Sequence, residues 1–270
     1  MYNATYTENK LLTIFWRGSV TSRAYYLGGN NMIGFGNYGK RQAEATLIKA
    51  LTDIRLVRID PQEDGFFEDV LNLGSEDNAI NAFIEAVAEV KAENLEAFYR
   101  PIYDPSEVSD HMVTYQNGKR PAVGHTYIWW VKTASKMPSV EGRQWKIATE
   151  YQYYAFLVWL INQLVKDGKS VELAVKMVVL DSKEIGHYRD SENSTEGADF
   201  ENTGSRCVCG VYDLANTYKF LSCSNEEAGG FWIGGGRYRT HGRYNPLACL
   251  DLYSIAADGD YNNSVGLLVL

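Results

Sequence analysis

The sequence predicts an α+β protein, and three observations support this class. Two long stretches, 75–98 and 145–165, repeat apolar residues at the spacing of one helix face. Short apolar runs such as 10–16, 231–233 and 265–270 stand between glycine-rich or polar residues and predict strands. Apolar residues make up 45% and charged residues 22% of the 270 residues, which excludes general disorder and allows a sizeable core.

The first hundred residues mix strands, turns and helices. Strands are expected over 10–16 and 54–59, with glycine-rich turns over 28–39 and a short helix over 41–51 between them. Ser75 is the expected N-cap of the first long helix, because acidic residues that suit a first turn follow it directly. These elements predict a mixed α/β region that is smaller than the rest of the chain.

A proline-rich stretch separates this region from the rest of the chain. Pro101, Pro105 and Pro121 surround an Asn-Gly turn signal. We therefore expect an N-terminal region of 1–115, which would serve assembly or attachment, and a ligand-binding domain of 116–270. The elements expected in the second domain are a strand over 126–131, a turn at 137–138, a helix over 145–165, a strand or helix over 173–180, an exposed polar loop over 181–206, and two short strands with a tight turn within 208–221.

Charge and apolar patterning exclude several classes of protein. A net charge of -8 argues against a general nucleic-acid-binding face, although Arg237, Arg239 and Arg243 form a local basic cluster. The glycine-rich stretches lack the spacing of a phosphate-binding loop. No apolar run reaches about 18 residues, which predicts no membrane insertion. The N-terminus lacks the features of a signal peptide, so we expect synthesis in the cytoplasm and release by lysis or within a virion.

The metal-ligating residue types show no recognised metal spacing, so no cofactor is predicted. Three alternatives stay open for the four cysteines: a zinc site, buried free thiols, and a disulfide such as one between Cys209 and Cys223. The four histidines also lack ligand spacing. Asp258, Asp260 and Asn262 are similar to the beginning of a calcium loop but lack its terminal glutamate, which leaves calcium as an open alternative.

The polar, aromatic-rich tail after Gly229 predicts a binding surface. Tyrosine and tryptophan offer a large apolar area with a polar tip, and arginine and aspartate supply charge-assisted hydrogen bonds. Flanking strands at 231–233 and 265–270 would hold these residues in place, which reduces the entropy lost on binding. The candidate ligand-binding residues are Trp232, Tyr238, Arg239, His241, Arg243, Tyr244, Asn245, Asp251, Tyr253, Ser254, Asp258, Asp260, Tyr261 and Asn262.

Three segments of the chain follow one family pattern in the same order along the sequence. The first is 145–155 (WKIATEYQYYA), and the second is 210–216 (GVYDLAN). The third combines 234–237 (GGGR) with the closing 263–269 (NSVGLLV). In these segments the chain resembles the C-type lectin fold of the formylglycine-generating-enzyme type, over about residues 120 to 270. The resemblance implies that a domain of this fold follows the smaller N-terminal region.

Within that fold, the tail resembles the variable proteins of diversity-generating retroelements. In those proteins, adenine-directed mutagenesis rewrites codons of a C-terminal segment and yields residues such as Tyr, Asp, His, Ser, Gly, Arg and Asn. These residue types crowd 237–262, and Glu, Gln and Lys are absent from 229–270. The resemblance extends to tropism determinants of phages and archaeal viruses. It implies a hypervariable segment at about 232–262, a protein or glycan ligand on a host cell, and a viral protein in the virion or outside the host cell; oligomerisation is left open.

Two other functions are kept as alternatives. Oxidases of the family carry a cysteine pair before the closing strand, where this chain has only Cys249, so the sequence predicts no enzyme activity. Residues 216–219 and 266–268 also depart from the family pattern. An invariant structural virion protein is the second alternative.

Asp213, inside the best-matching segment, is expected to bond backbone amides and fix its turn rather than take part in chemistry.

Overall fold

The fold is described from a computed structural model of the chain. The structure describes residues 2–6, 12–16, 54–109, 111–140, 142–188, 200–223, 230–236, 238, 243, 246–254, 264–266 and 268–270. The turns predicted at 28–39 and the helix predicted at 41–51 lie outside the described residues.

The described residues form an α+β structure, as the sequence predicts. Their helices are α1 (Glu68–Leu71), α2 (Asn78–Ala92), α3 (Tyr127–Lys136), α4 (Glu150–Lys166) and α5 (Val171–Val179). Their strands are β1 (Tyr2–Tyr6), β2 (Leu12–Trp16), β3 (Leu56–Ile59), β4 (Phe98–Pro101), β5 (Ser106–Ser109), β6 (Met112–Thr114), β7 (Lys146–Ile147), β8 (Cys207–Val208), β9 (Val211–Tyr212), β10 (Tyr218–Ser222), β11 (Gly230–Gly234), β12 (Leu250–Ser254), β13 (Ser264–Gly266) and β14 (Leu268–Val269). The strands predicted over 10–16 and 54–59 correspond to β2 and β3.

The helix α2 begins and ends at different residues than the sequence predicts. Asp77, not Ser75, is its N-cap, and the Asp77 carboxylate accepts hydrogen bonds from two backbone amides of the first turn at 2.8 and 3.3 Å. The Ser75 hydroxyl instead accepts from the Asp77 amide at 3.1 Å. The helix ends before Phe98, which belongs to β4. The buried face of α2 consists of Ile80, Phe83, Val87 and Val90.

The segment 126–131 forms the cap and first turns of α3, so the strand predicted there is wrong. Thr126 is the N-cap, and its hydroxyl accepts a hydrogen bond from the Trp129 amide at 3.2 Å. The buried residues of this helix are Trp130, Thr133 and Ala134. Their spacing is that of one helix face, but a short aromatic and β-branched run does not distinguish a helix from a strand.

The second long helix is confirmed, although it begins at Glu150 rather than at 145. Thr149 and Gln152 form a reciprocal capping box: the Thr149 hydroxyl accepts from the Gln152 amide, and the Gln152 side chain accepts from the Thr149 amide, both at 3.1 Å. The residues just before this cap form β7. Over 173–180, where either a strand or a helix was expected, the structure has the helix α5.

A four-stranded sheet, in the order β12-β11-β10-β13, lies between two clusters of buried side chains. The first three strands are antiparallel neighbours, whereas β13 joins β10 in parallel. Phe220 and Ile233 pack into the smaller cluster with Trp130 of α3. Leu221 packs into the larger cluster with most of α4. Because side chains alternate between the two faces of a strand, both faces of the sheet are covered.

The closing apolar run forms two strands rather than the single strand predicted over 265–270. β13 belongs to the four-stranded sheet, while β14 pairs antiparallel with β7, with Leu268 opposite Ile147. Leu270 then exchanges two backbone hydrogen bonds with Tyr99 of β4, at 3.0 and 3.1 Å. The last residues of the chain therefore bond to elements on both sides of the expected domain boundary.

The larger cluster of buried side chains takes residues from both sides of residue 115. Phe83 and Val87 of α2 belong to it, and so do Phe156 and Leu160 of α4. The division into 1–115 and 116–270 stays a prediction. In the described residues, these two stretches share buried apolar surface.

The tight turn predicted within 208–221 is confirmed as the hairpin of β8 and β9. Its turn residues, Cys209 and Gly210, have φ of 51° and 81°, the positive values that a two-residue hairpin turn favours. All four cysteines are free thiols; Cys207 is exposed and the others are half-buried, so neither a disulfide nor fully buried thiols are observed. Burial and the Asp167 carboxylate raise the pKa of the Cys209 thiol to about 12, which disfavours the reactive thiolate.

Candidate functional site

Only part of the candidate ligand-binding set lies within the described residues. Trp232, Tyr238, Arg243 and Asp251 are described with their side chains. Tyr253 and Ser254 are described through their backbone in β12. The candidates outside the described residues are Arg239, His241, Tyr244, Asn245, Asp258, Asp260, Tyr261 and Asn262.

Trp232 and Asp251 lie on β11 and on the edge strand β12. Asp251 is exposed and stands opposite Ile233 in the antiparallel pairing, and Tyr253 stands opposite Phe231. Trp232 packs against the larger cluster, and its indole Nε1 is buried without a hydrogen-bond partner among the described residues. Trp232 therefore supports the scaffold with much of its side chain, whereas Asp251 presents a carboxylate to solvent.

The stretch 236–246, which we call the tail loop, is held to the scaffold at both ends. Before it, the Gly235 amide donates to the Cys249 carbonyl at 3.0 Å. After it, the Leu247 amide donates to the Ser182 hydroxyl at 2.8 Å, and the Leu247 carbonyl accepts from a buried tyrosine hydroxyl of α4 at 2.8 Å. Because the two partners of Leu247 are buried and Cys249 directly precedes β12, the positions at which the tail loop leaves and rejoins the scaffold are fixed.

Tyr238 ties the tail loop to the scaffold at three further points. Its amide donates to the Asn216 carbonyl at 3.2 Å, and its hydroxyl donates to Glu201 Oε1 at 2.7 Å. Its ring stacks on the imidazole of His187, with the ring centroids 5.0 Å apart. Glu201 Oε2 lies 3.0 Å from His187 Nε2, so the three side chains form one connected group. The Tyr238 hydrogen bond is the largest of the interactions that lower the pKa of Glu201.

Asn216, the last residue of the matched segment 210–216, positions Glu201. Its Oδ1 accepts from the Glu201 amide at 2.9 Å, and its Nδ2 donates to the Glu201 carbonyl at 3.0 Å. The Asn216 side chain is buried, so these two hydrogen bonds are protected from water. One asparagine therefore connects the matched segment to both Glu201 and Tyr238.

The turn 181–188 is a loop, as the sequence predicts, but only part of it is exposed: Lys183 and Glu184 are exposed, whereas Ile185 and Gly186 are buried. Arg206 donates hydrogen bonds to three backbone carbonyls of the turn. Ser182 is buried, and the His187 amide donates to the Leu214 carbonyl at 2.6 Å. The polar composition predicted solvent exposure, but here the polar groups bond to the backbone of the protein.

Arg243 is an exposed cation of the tail loop. Its side chain is 74% exposed, and its Nε lies 3.8 Å from the Asp181 carboxylate of the turn 181–188. At this distance and exposure the ion pair contributes little to stability. The guanidinium is accordingly accessible to an acidic or hydrogen-bonding group of a ligand.

A second polar group, which we call the buried charge group, lies beside the matched segment. Its members are Arg100, Asp104, Asp213, Thr217 and Lys219, each 5% exposed or less. The Asp213 carboxylate accepts from the backbone amides of Gly204 (2.7 Å) and Asp104 (3.0 Å), so it bonds backbone amides as expected, but these amides lie outside its own turn. The Asp104 carboxylate accepts from Lys219 Nζ at 2.7 Å and from the Thr217 hydroxyl at 2.9 Å.

Burial shifts the pKa values of three members of this group. Burial raises the pKa of Asp213 to about 7, and the neighbouring Asp104 carboxylate acts in the same direction. Burial lowers the pKa of Arg100 and of Lys219, while the charge of Asp104 opposes that shift. The Arg100 guanidinium also lies 4.0 Å from the ring centroid of Phe156. Since all these groups are closed to solvent, they do not form a binding surface. The bond between the Asp104 amide and Asp213 instead joins the stretch after β4 to the matched segment.

No metal centre or membrane helix accompanies this site in the part of the chain that the structure describes. Within the described residues, no three side chains of His, Cys, Asp and Glu are grouped so as to hold a metal ion. None of the described helices has the length and apolar character needed to cross a bilayer. The chain matches no protein-family model, and no curated protein matches it in sequence.

The sequence did not identify His187 and Glu201 as supports of the tail loop. Glu201 stands 37 residues before Tyr238, inside a segment whose composition predicted an exposed loop. Asn216 did carry a signal, because it ends the matched segment 210–216. A buried asparagine at the end of such a segment is a reason to look for backbone partners.

Proposed function

We propose that the protein binds a ligand through the tail loop and the adjoining edge of β12, and that it acts without catalysis. The observation that carries this proposal is the construction of the tail loop: both ends and Tyr238 bond to the scaffold, while Arg243 extends into solvent. Anchor residues that are already bonded in this way lose little conformational freedom on binding. The ligand would be a protein or glycan on a host cell, and the binder would be a viral protein in the virion or outside the host cell.

We propose a C-type lectin fold of the formylglycine-generating-enzyme type for residues 116–270. The matched segments support it, since each has a distinct structural task. The first contains β7 and the capped start of α4, and the closing segment pairs with β7 through β14. In the second, Asp213 and Asn216 bond the backbone of two distant stretches of chain.

Glycines of the matched segments also support this fold. A Cβ at Gly266 would lie 2.6 Å from the ring of Trp130, and a Cβ at Gly234 would lie 2.6 Å from the side chain of Leu250. Gly235 has a φ of 80°, which disfavours other residues. Packing and backbone conformation therefore demand glycine at these positions of the pattern.

Binding can be tested with labelled full-length protein on intact host-type cells and on a glycan array. We expect Arg243→Ala and Asp251→Ala to weaken binding about fivefold or more, since exposed charged residues of a binding surface supply charge-assisted hydrogen bonds to the ligand. Lys169→Ala, which also removes an exposed positive charge, is the matched control and should bind as the wild type does. Equal binding by all variants would contradict the assigned surface.

The proposed hypervariability of 232–262 calls for a separate experiment. Deep sequencing of the 3′ end of the gene in its natural population would reveal substitutions at positions that match adenines of a template. Variation confined to this segment would support a diversified binder. An invariant tail would instead favour a dedicated binder or a structural virion protein.

The proposed absence of a cofactor can be checked on purified protein. Stoichiometric copper or iron would favour an oxidase-related enzyme over a binder. A rise in melting temperature on adding calcium would show that the protein binds calcium. Calcium is the open alternative that Asp258, Asp260 and Asn262 suggest.

A further inference from the structure

We propose that Tyr238 is the fixed root of the tail loop, and that Glu201 and His187 are positioning residues that hold it there. The inference rests on the proposed ligand-binding function. It assigns Tyr238 to the support of the binding surface instead of to contact with the ligand. Ligand contact then begins on the C-terminal side of Tyr238, where Arg243 is exposed.

The hydroxyl, the backbone amide and the ring of Tyr238 already have partners in the protein. The hydroxyl donates to Glu201 Oε1 at 2.7 Å, a short distance for a bond to a charged acceptor. The imidazole of His187 covers one face of the ring, and the amide donates to Asn216. A ligand that used the Tyr238 hydroxyl as a donor would first have to displace Glu201, whereas the Arg243 side chain is 74% exposed.

Glu201, which accepts the hydrogen bond of the Tyr238 hydroxyl, is itself fixed in place. The backbone of Glu201 is paired with the buried side chain of Asn216 through two hydrogen bonds, at 2.9 and 3.0 Å. The Glu201 side chain is oriented at its other oxygen, Oε2, by His187 Nε2 at 3.0 Å. The backbone of His187 is held by Leu214 at 2.6 Å. A continuous series of bonds therefore runs from the buried scaffold to the Tyr238 hydroxyl.

This arrangement separates two tasks within the tail loop. The root sets where the loop leaves the scaffold, and residues beyond it are free to change without moving that point. In a diversified protein, Tyr238 should thus stay constant together with Glu201 and His187. Arg243, whose side chain is 74% exposed and lies 3.8 Å from Asp181, belongs to the changeable part.

The test is amide hydrogen exchange of the full-length protein, resolved at Tyr238 and in α4. Tyr238→Phe keeps the ring and removes only the hydroxyl, and Glu201→Gln keeps the shape of the acceptor but removes its charge. We expect either change to speed exchange of the Tyr238 amide about five- to tenfold and to leave α4 unchanged. Because both act on the same bond, which Tyr238→Phe removes and Glu201→Gln weakens, the double variant should exchange no faster than the faster single variant.

Glu172→Gln is the matched control, because it neutralises an exposed glutamate whose partner, Lys176, is on the same helix. It should leave the Tyr238 amide unaffected. His187→Phe, which retains a stacking ring, should speed exchange less than His187→Ala. Unchanged exchange at Tyr238 in Glu201→Gln and Tyr238→Phe, or equal acceleration in α4, would overturn the proposal.

Failure of this inference is distinguishable from failure of the proposed function. The same variants are measured on the host-type cells and the glycan array. If Tyr238→Phe and Glu201→Gln weaken binding equally while Tyr238 exchange accelerates, Tyr238 acts by positioning. If Tyr238→Phe weakens binding and Glu201→Gln does not, the hydroxyl contacts the ligand and the inference is wrong. If the wild type binds no probe while exchange responds as expected, Tyr238 is still the fixed root of the tail loop, and the proposed binding function is wrong.

Discussion

The buried charge group and the Tyr238 root are two polar groups organised by the same short segment, and they differ in exposure. Asp213 bonds two distant backbone amides inside the protein, whereas Asn216, three residues later, bonds the backbone of Glu201 beside the tail loop. The Glu201 side chain is 42% exposed, but the Asp104–Lys219 pair is almost completely enclosed. Enclosed charges have a large influence on the stability of the fold, and partly solvated ones mainly on local geometry.

The largest expected effect on stability comes from removing Lys219, one of the two cations of the buried charge group. Lys219→Met leaves the Asp104 carboxylate buried without its closest partner, which should lower the free energy of unfolding by about 3 kcal/mol. Urea unfolding followed by tryptophan fluorescence measures this loss. Lys176→Met breaks an exposed pair with Glu172 and should cost less than about 0.5 kcal/mol. Similar losses in the two variants would contradict the distinction between enclosed and solvated charges.

An intermediate effect, with a characteristic pH dependence, is expected for Asp213→Asn. The substitution replaces one of the two Asp213 oxygens, each of which accepts from a backbone amide. It should lower the free energy of unfolding by about 1–3 kcal/mol at pH 4. Burial raises the pKa of Asp213 to about 7 in the folded protein, above the ordinary value of 3.8. Between those values only the folded state holds the proton, so the contribution of Asp213 to stability falls as the pH rises from 4 to 7.

Urea unfolding at pH 4, 5.5 and 7 checks this sign. The stability advantage of the wild type over Asp213→Asn should shrink as the pH rises. An advantage that grows instead would mean that the carboxylate is charged in the folded state and stabilised by its two backbone amides and by Lys219 and Arg100.

The smallest expected effect on global stability belongs to Glu201→Gln. Because the glutamate is partly solvated, we expect a loss of about 1 kcal/mol or less at pH 7. The Tyr238 hydrogen bond lowers the pKa of Glu201 below the ordinary 4.5, so its contribution is present above that value and disappears as the pH falls through the lowered pKa. The difference in melting temperature between wild type and variant should therefore shrink as the pH falls below 4.5. A difference that stays constant down to the acid limit of folding would show that charge is not what Glu201 contributes.

Local chemistry determined which parts of the molecule could be predicted. The α+β class and the tight turn within 208–221 depend on patterns within a few residues, and these predictions are confirmed. Asp213 does bond backbone amides, but its partners, Gly204 and Asp104, lie outside the turn that the sequence indicated. The strand predicted over 126–131 is wrong: the cap of α3, in which the Thr126 hydroxyl accepts from the Trp129 amide, is not evident in an apolar run. Long-range pairing was not predictable: no local pattern links His187 or Glu201 to Tyr238, which lies in a different stretch of chain.

The parallel pairing of β13 with β10 has a consequence for how the chain tolerates change. Tyr218 stands beside Ser264, so this pairing closes a long excursion of the chain that contains the tail loop. Strands β11 and β12 of the sheet lie inside this excursion and cannot change length freely. For the tail loop between them, the entropy of closure grows only with the logarithm of length, and ten residues added to its eleven would cost about 0.6 kcal/mol. Insertions within the tail loop are thus nearly neutral for folding, which would let natural selection act on its length as well as on its composition.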